Sequence, residues 1–263
     1  MKSFSRKIMT SLICTTLTLG ACTLAAAEEE KPAADLTVGL YNQYVWRGWT
    51  FSEESMVIQP SMTVSYKGFA ANLWGNLDTE QYDATASETN SWNETDLTLS
   101  YDWSMLDLDF GVGYIYYALD GVDDSQEVYA ALSKDILLTP TLTIYRDYDS
   151  FPGWYMTAEI SHSFPLRDSI SLDLGAKAGY LMADEASTYG DPSDPSDAFS
   201  NFLDGVLSVA LPITINDYLT LTPEAYCSFA LSSDAKDMLA ADNSAYNNDE
   251  TNFYGGVSAS FSF

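Results

Sequence analysis

Apolar and polar side chains exchange places two by two along most of this chain. The pattern holds through twelve segments, near residues 35–47, 55–66, 69–77, 94–103, 105–117, 126–134, 140–149, 153–164, 169–181, 199–213, 217–229 and 252–263. A period of two marks a β-strand with one apolar and one polar face. Between 170 and 180, Ile170, Leu172, Leu174, Ala176, Ala178 and Tyr180 share one face, and Ser171, Asp173, Gly175, Lys177 and Gly179 the other. In the last segment Phe253, Gly255, Val257, Ala259, Phe261 and Phe263 alternate with polar or small neighbours. Such strands suit either the edge of a soluble sandwich or a barrel whose apolar face meets lipid and whose polar face meets a lumen.

Three patterns favour the barrel. Twelve is even, as a single-chain bacterial barrel requires. The connections after even-numbered segments are short, whereas several after odd-numbered ones are long and acidic, notably 78–92, 181–198 and 230–251. Short turns on one side and long loops on the other are the habit of outer-membrane barrels, with the short side periplasmic. Aromatics on the apolar face fall in two groups. Tyr44, Trp46, Tyr114, Tyr116, Trp154, Tyr180, Phe199, Phe229 and Phe253 lie near the long-loop ends; Tyr66, Phe69, Tyr101, Trp103, Phe164, Phe261 and Phe263 lie near the short-turn ends. Rings at both membrane interfaces form such belts. The expected fold is all-β, a 12-stranded antiparallel transmembrane up-and-down barrel, with the twelfth strand closing on the first so that no edge faces lipid. Both termini are expected in the periplasm. Segment seven strains the pattern: with Leu142 and Ile144 facing lipid, Arg146 does too, unless a bulge or an early end to the span intervenes.

Residues 1–27 read as a cleaved signal peptide, with Lys2, Arg6 and Lys7 before an apolar run and small residues up to Ala27. Cys22 in a lipobox-like "LGAC" offers lipoprotein processing as the alternative. Residues 28–34 then form a short periplasmic segment and 35–263 the outer-membrane barrel. Cleavage after Ala27 leaves 8 Lys and Arg against 38 Asp and Glu, a formal charge of −30. That balance excludes ordinary nucleic-acid binding, which needs a basic footprint. Cys227 is then the one remaining cysteine and has no partner for an internal disulfide.

Residues 41–76 carry a family likeness in Tyr44, Arg47-Gly48, Gln59-Pro60, Gly68-Phe69 and Trp74-Gly75-Asn76, with "ETDLTLSY" at 94–101 and "YRDYD" at 145–149 later on. These features resemble the TorF-type porin family, also labelled Gcw_chp. The resemblance implies an outer-membrane β-barrel and a porin label, without a substrate. An aromatic at Phe263, with Phe261, also looks like the C-terminal signal read by barrel-assembly machinery.

Chemistry has few candidates. His162 shares parity with Ile160 and Phe164 near a short turn, which places it at the lipid-facing interface; a Ser–His hydrolase of outer-leaflet lipid needs its base at the other end. Parity turns inward Arg47, Asp96, Asp102, Asp107, Asp109, Glu127, Glu159, Asp173, Lys177, Asp204 and Glu224. These line either a water-filled path or a salt-bridge network filling the lumen, with Lys177 neutralising Glu159 or Asp173. Asp191, Asp194 and Asp197 in "GDPSDPSD" would meet on Ca²⁺ only in a curled loop; a solvated acidic loop is the alternative. No cofactor is expected. The reading is a non-enzymatic porin for small hydrophilic solutes with a bias to cations. The rival is a closed barrel that acts through its extracellular loops. Expected partners are outer-membrane lipid and lipopolysaccharide, the assembly machinery, and small solutes or cations.

Overall fold

A computed structural model describes residues 31–52, 55–79, 91–241 and 251–263. Residues 1–30, with the expected signal peptide, and residues 53–54, 80–90 and 242–250 lie outside the described residues. Twelve long strands make the wall: β1 Ala33–Tyr41, β2 Val57–Tyr66, β3 Phe69–Asp78, β4 Ser91–Met105, β5 Leu108–Leu119, β6 Ser125–Ser133, β7 Thr141–Asp147, β8 Gly153–Arg167, β9 Ile170–Ala183, β10 Ser200–Ala210, β11 Leu219–Ala230 and β12 Thr251–Ser262. Each pairs antiparallel with its neighbours in sequence. β1 pairs with β12, setting Leu36 opposite Phe261 and Leu40 opposite Val257, so the sheet is closed.

The wall is inverted relative to a soluble protein. On β4, Leu97 and Leu99 are exposed while Asp96 and Thr98 between them are buried. On β9, Leu174 is exposed beside buried Asp173, and on β12 Phe253 is 74% exposed between buried Asn252 and Tyr254. A closed sheet with an apolar exterior satisfies every strand hydrogen bond internally, which hydrocarbon demands. At the short-turn end Phe69, Tyr101, Trp103 and Phe110 form a run of rings with successive centroids 4.6, 5.8 and 5.3 Å apart.

Tight reversals need left-handed backbone. Lys67-Gly68 has φ of 52° and 83°, and Leu106-Asp107 has 57° and 59°, the signature of two-residue hairpin turns whose twist suits the strands. Asp107, expected to face the lumen, sits exposed in the second of these turns. Asp109 is half-buried near the same end and accepts a hydrogen bond from Ser104.

Arg146 does face outward, and β7 ends one residue later at Asp147. At this rim its guanidinium meets Asp184 at 2.5 Å and lies 5.2 Å from the Trp154 ring centre. An early end to the span, not a bulge, accommodates the charge.

Two bulges reset the alternation elsewhere. On β10 the register passes from Gly205, opposite Ala178, to Phe202, opposite Tyr180, so one extra residue is taken up. Leu203 and Asp204 are therefore both buried, Phe202 is exposed, and Phe199 beyond them is turned inward and fully buried. This overturns the expectation that Phe199 faces lipid. On β4 the extra residue is Asn93, which leaves Trp92 exposed and Glu94 buried.

Candidate functional site

The lumen contains two inserted pieces. β1 stops at Tyr41, six residues before the alternation would end it. Asn42 tethers the departing chain to β12: its N–H donates to the Gly255 carbonyl at 3.1 Å, and its Oδ1 accepts from the Gly255 N–H at 2.7 Å. The chain then turns into the barrel. Val45–Trp46 pairs with Trp49–Thr50 around Arg47-Gly48, whose φ angles of 50° and 91° make another left-handed two-residue turn. The Tyr44 N–H donates to Ser52 Oγ at 2.7 Å, and the Phe51 N–H to the Tyr44 carbonyl at 2.8 Å. Tyr44, Val45 and Trp49 are buried and Trp46 is packed against the core. Tyr44 and Trp46 therefore belong to the lumen and not to the outer aromatic belt.

The second piece is a helix, α1, spanning Ser233–Ala241 within the 230–251 loop. Ser232 caps it by accepting the Ala235 N–H at 3.0 Å, while its own hydroxyl donates to the Phe202 carbonyl at 2.8 Å. Ala235, Met238 and Leu239 fall on one face and are buried against the cluster that includes Trp49, Phe199 and Leu203. The hairpin and α1 touch. A Cβ at Gly48 would lie 3.0 Å from Leu239 Cδ1 and 3.2 Å from Asp204 Cβ, so glycine serves both the turn and the contact.

Arg47 is carried on the hairpin tip instead of on β1. Its guanidinium donates to Glu127 through both carboxylate oxygens, at 2.8 and 2.7 Å. Rings of Trp46 and Tyr155 lie 4.2 Å from its centre and that of Tyr145 5.2 Å. Glu127 is 1% exposed and also accepts from the Tyr117 hydroxyl at 2.8 Å. This fork-to-fork pairing with flanking rings is the geometry a buried guanidinium needs.

A second cation sits close by. Lys177 reaches Asp204 at 3.2 Å, where the Tyr155 hydroxyl also donates, at 2.7 Å. Lys177 was expected to neutralise Glu159 or Asp173; its close ion pair is with Asp204, and Glu159 faces it directly across the ladder. Gly179 makes room for this arrangement, since a Cβ there would meet Asp204 Oδ1 at 2.3 Å and Tyr155 Oη at 2.4 Å. Glu224 accepts from Tyr41 and Tyr226, both at 2.6 Å. Asp96 and Glu94 are buried on β4, and Asp173 is buried on β9. Asp102 is half-buried on the same wall.

The lumen changes character along its axis. Its long-loop half holds Trp46, Trp49, Tyr155, Phe199, Leu203 and Leu239. A recess there, lined by Trp46, Arg47, Trp49, Glu127, Tyr155 and Tyr189 among others, has about 10 Å³ of free room, enough for about one water. Towards the short turns the inward positions shrink to hydroxyls such as Thr37, Ser61, Thr141, Thr143, Ser161 and Ser260, all half-buried.

The remaining candidates lie outside the lumen. His162 packs edge-on to Phe164 at 4.5 Å on the outer face of β8. Asp191 and Asp194 oppose each other in a small ladder of the 184–199 loop. Each accepts from a serine two residues on, Ser193 and Ser196, and these bonds hold both carboxyls below the usual carboxylate range. Asp197 is exposed in the same ladder. Among the described residues no three His, Cys, Asp or Glu side chains are grouped to hold a metal ion. Phe261 packs in the seam opposite Leu36, and Phe263, exposed, exchanges backbone hydrogen bonds with Ala34 at 2.9 and 3.3 Å.

The Tyr44, Trp46, Phe199 and α1 placements escaped sequence reading, yet signals exist. Asn42 breaks the apolar parity, Trp-Arg-Gly-Trp reads as a turn flanked by rings, and Ser232 followed by apolar 235, 238 and 239 reads as a capped amphipathic helix.

Comparison with known proteins agrees with the architecture. The family model described as "Bacterial protein of unknown function (Gcw_chp)" matches residues 27–192. The solved structure of the KdgM porin is similar over 85% of this chain and 97% of its own, at 10% identity and a TM-score of 0.51. That of the NanC porin covers 88% and 98%, also at 10% identity, with a TM-score of 0.52. No curated protein sequence matches the chain. The likeness to the two structures is one of fold, and with the apolar exterior it makes this chain an integral outer-membrane β-barrel.

Proposed function

The chain belongs to the Gcw_chp family, and from that footing we propose that it passes small hydrophilic solutes, cations preferred, through a lumen closed at the long-loop end by a movable plug. The observation that carries this reading is the charge of the wall. Asp96, Glu127, Glu159, Asp173, Asp204 and Glu224 face inward, joined by Glu94, and among the described residues the facing cations are Arg47 and Lys177. Both of those are held in ion pairs with Glu127 and Asp204. The carboxylates that remain raise the local cation concentration and repel anions, within walls that focus the field. Passage requires the hairpin at 42–52 to leave its seat, because that hairpin and α1 fill the long-loop half. The half-buried hydroxyls of the short-turn half form the vestibule below it.

One observation favours a second reading. Among the described residues the long-loop half is packed with rings and aliphatics, and the recess beside Arg47 has room for about one water. A barrel sealed for good would act through its loops. Single-channel recording separates the two. Wild-type protein is expected to open intermittently, and a variant with residues 44–51 replaced by a short Gly-Ser linker should conduct steadily with cation preference. Silence from both, with folding confirmed, would leave the sealed barrel.

The same proposal sets the topology: long loops outside, short turns and both termini in the periplasm, after removal of residues 1–27. Lipopolysaccharide then surrounds the long-loop rim. Phe261 and Phe263 are proposed as the segment read by the assembly machinery. Phe263→Asp should lower the yield of heat-modifiable folded barrel, and an unchanged yield would remove that role.

A further inference from the structure

The walls around the Arg47 guanidinium belong to the barrel. Glu127 is on β6, Tyr145 on β7 and Tyr155 on β8, and Tyr117 on β5 holds one oxygen of Glu127. None of these four side chains is carried on the hairpin. What they frame is flat: a ring 4.2 Å from the cation centre, a second at 5.2 Å, and a carboxylate that meets its edge with two oxygens. A hard ion such as Na⁺ takes a shell of oxygens and gains little from ring faces. A planar, weakly hydrated cation gains from the rings and from the forked carboxylate together. The hairpin thus presents a guanidinium on a tether to a fixed receptor.

We propose that this cage is a binding site for solutes bearing a guanidinium or a similar flat organic cation, and that Arg47 is the tethered stand-in such a solute displaces. The inference names a substrate class for the channel reading and rests on it for its use in transport. Binding itself can be tested without conduction.

The experiment uses the full folded chain in detergent. Ethylguanidinium chloride is titrated into Arg47→Ala, with NaCl and ethylammonium chloride at equal ionic strength as comparisons, and Trp fluorescence is followed. Trp46 lies against the vacated position, so a saturable change at millimolar ethylguanidinium is expected, with ethylammonium weaker and NaCl without effect. Adding Glu127→Gln to Arg47→Ala should weaken the binding by about tenfold or more. An absent saturable response, or one that the second substitution does not move, overturns the proposal. Where Arg47→Ala does not fold alone, refolding with ethylguanidinium present replaces the titration. Recovery of folded barrel above the NaCl sample supports the site, and equal yields overturn it. Binding by Arg47→Ala together with silent wild-type and plug-replaced proteins would sink the channel reading and leave the site standing.

Discussion

The guanidinium of Arg47 and the carboxylate of Glu127, 80 residues apart in the chain, meet through two parallel hydrogen bonds of 2.8 and 2.7 Å inside the barrel. Removing one partner strands the other in a packed, ring-lined space. Glu127→Met is expected to destabilise the folded barrel by about 3–5 kcal/mol, and Arg47→Met with Glu127→Met together should cost less than the two single Met changes summed. Urea unfolding in lipid vesicles measures all four proteins. Additive losses would show that the pair is not coupled.

The seat of the plug can be loosened without touching the wall. Gly48→Ala places a side chain in left-handed backbone, against Leu239, at a cost of about 1–2 kcal/mol. Ser232→Ala removes the helix cap at a cost of about 1 kcal/mol. Both variants should fold normally and open more often, by about fivefold for each kcal/mol lost from the closed state. Single-channel open probability is the readout, and unaltered gating would mean that the plug does not control the path.

Glu159 and Glu224 face the lumen from β8 and β11. Changing both to Gln keeps hydrogen-bonding capacity and removes charge. The reversal potential in a salt gradient should fall. Wild-type preference should weaken with salt as well, because the Debye length shrinks from about 10 Å at 0.1 M to about 3 Å at 1 M. Selectivity that follows Asp191, Asp194 and Asp197 instead would move the filter to the loops.

Acid should release one rim contact late. Arg146 holds the Asp184 carboxyl below the usual carboxylate range, chiefly through their hydrogen bond. A depressed carboxyl stabilises at pH values above its ordinary range, and the contribution is lost as pH falls through the lowered value. The 184–199 loop should therefore stay protected from protease at neutral pH and gain cleavage only in strong acid. Asp184→Asn should show the acid-like cleavage already at neutral pH, though weakly, since the pair is partly exposed.

Orientation is tested by labelling. With Cys227 replaced by Ser, a cysteine at Ser193 should react with an impermeant thiol reagent on intact cells, and one at Asp168 should not. Labelling at 168 alone would invert the proposed topology.

The wall was legible because a two-residue period leaves few choices. Leu97 and Leu99 against Asp96 and Thr98 could be sorted by parity alone, and each of the twelve alternating segments holds one wall strand, although β1 stops six residues short of its segment's end. Parity carries no memory across a bulge. The extra residue between Phe202 and Gly205 inverts the order upstream, which is why Phe199 read as lipid-facing and is buried. Parity also cannot tell a strand from a hairpin of the same alternation. Tyr44 and Trp46 continue the pattern of Leu36, Val38 and Leu40, although the strand has already ended at Tyr41. Of the expected inward acids, Asp96, Glu127, Asp173, Asp204 and Glu224 are buried, whereas Asp107 sits exposed in a turn and the buried Glu94, beside the β4 bulge, was missed. Their partners were not legible, because Arg47 reaches Glu127 only after its hairpin folds inward.

The two inserted pieces come from opposite ends of the wall: the hairpin follows β1, and α1 precedes β12, the strands that meet at the seam. Until β12 zips onto β1 there is no enclosed space to fill, and α1 has no Trp49 beneath it. The seat of both inserted pieces is therefore complete only once β12 lies on β1, and a barrel held open at that seam would lack the walls that hold them.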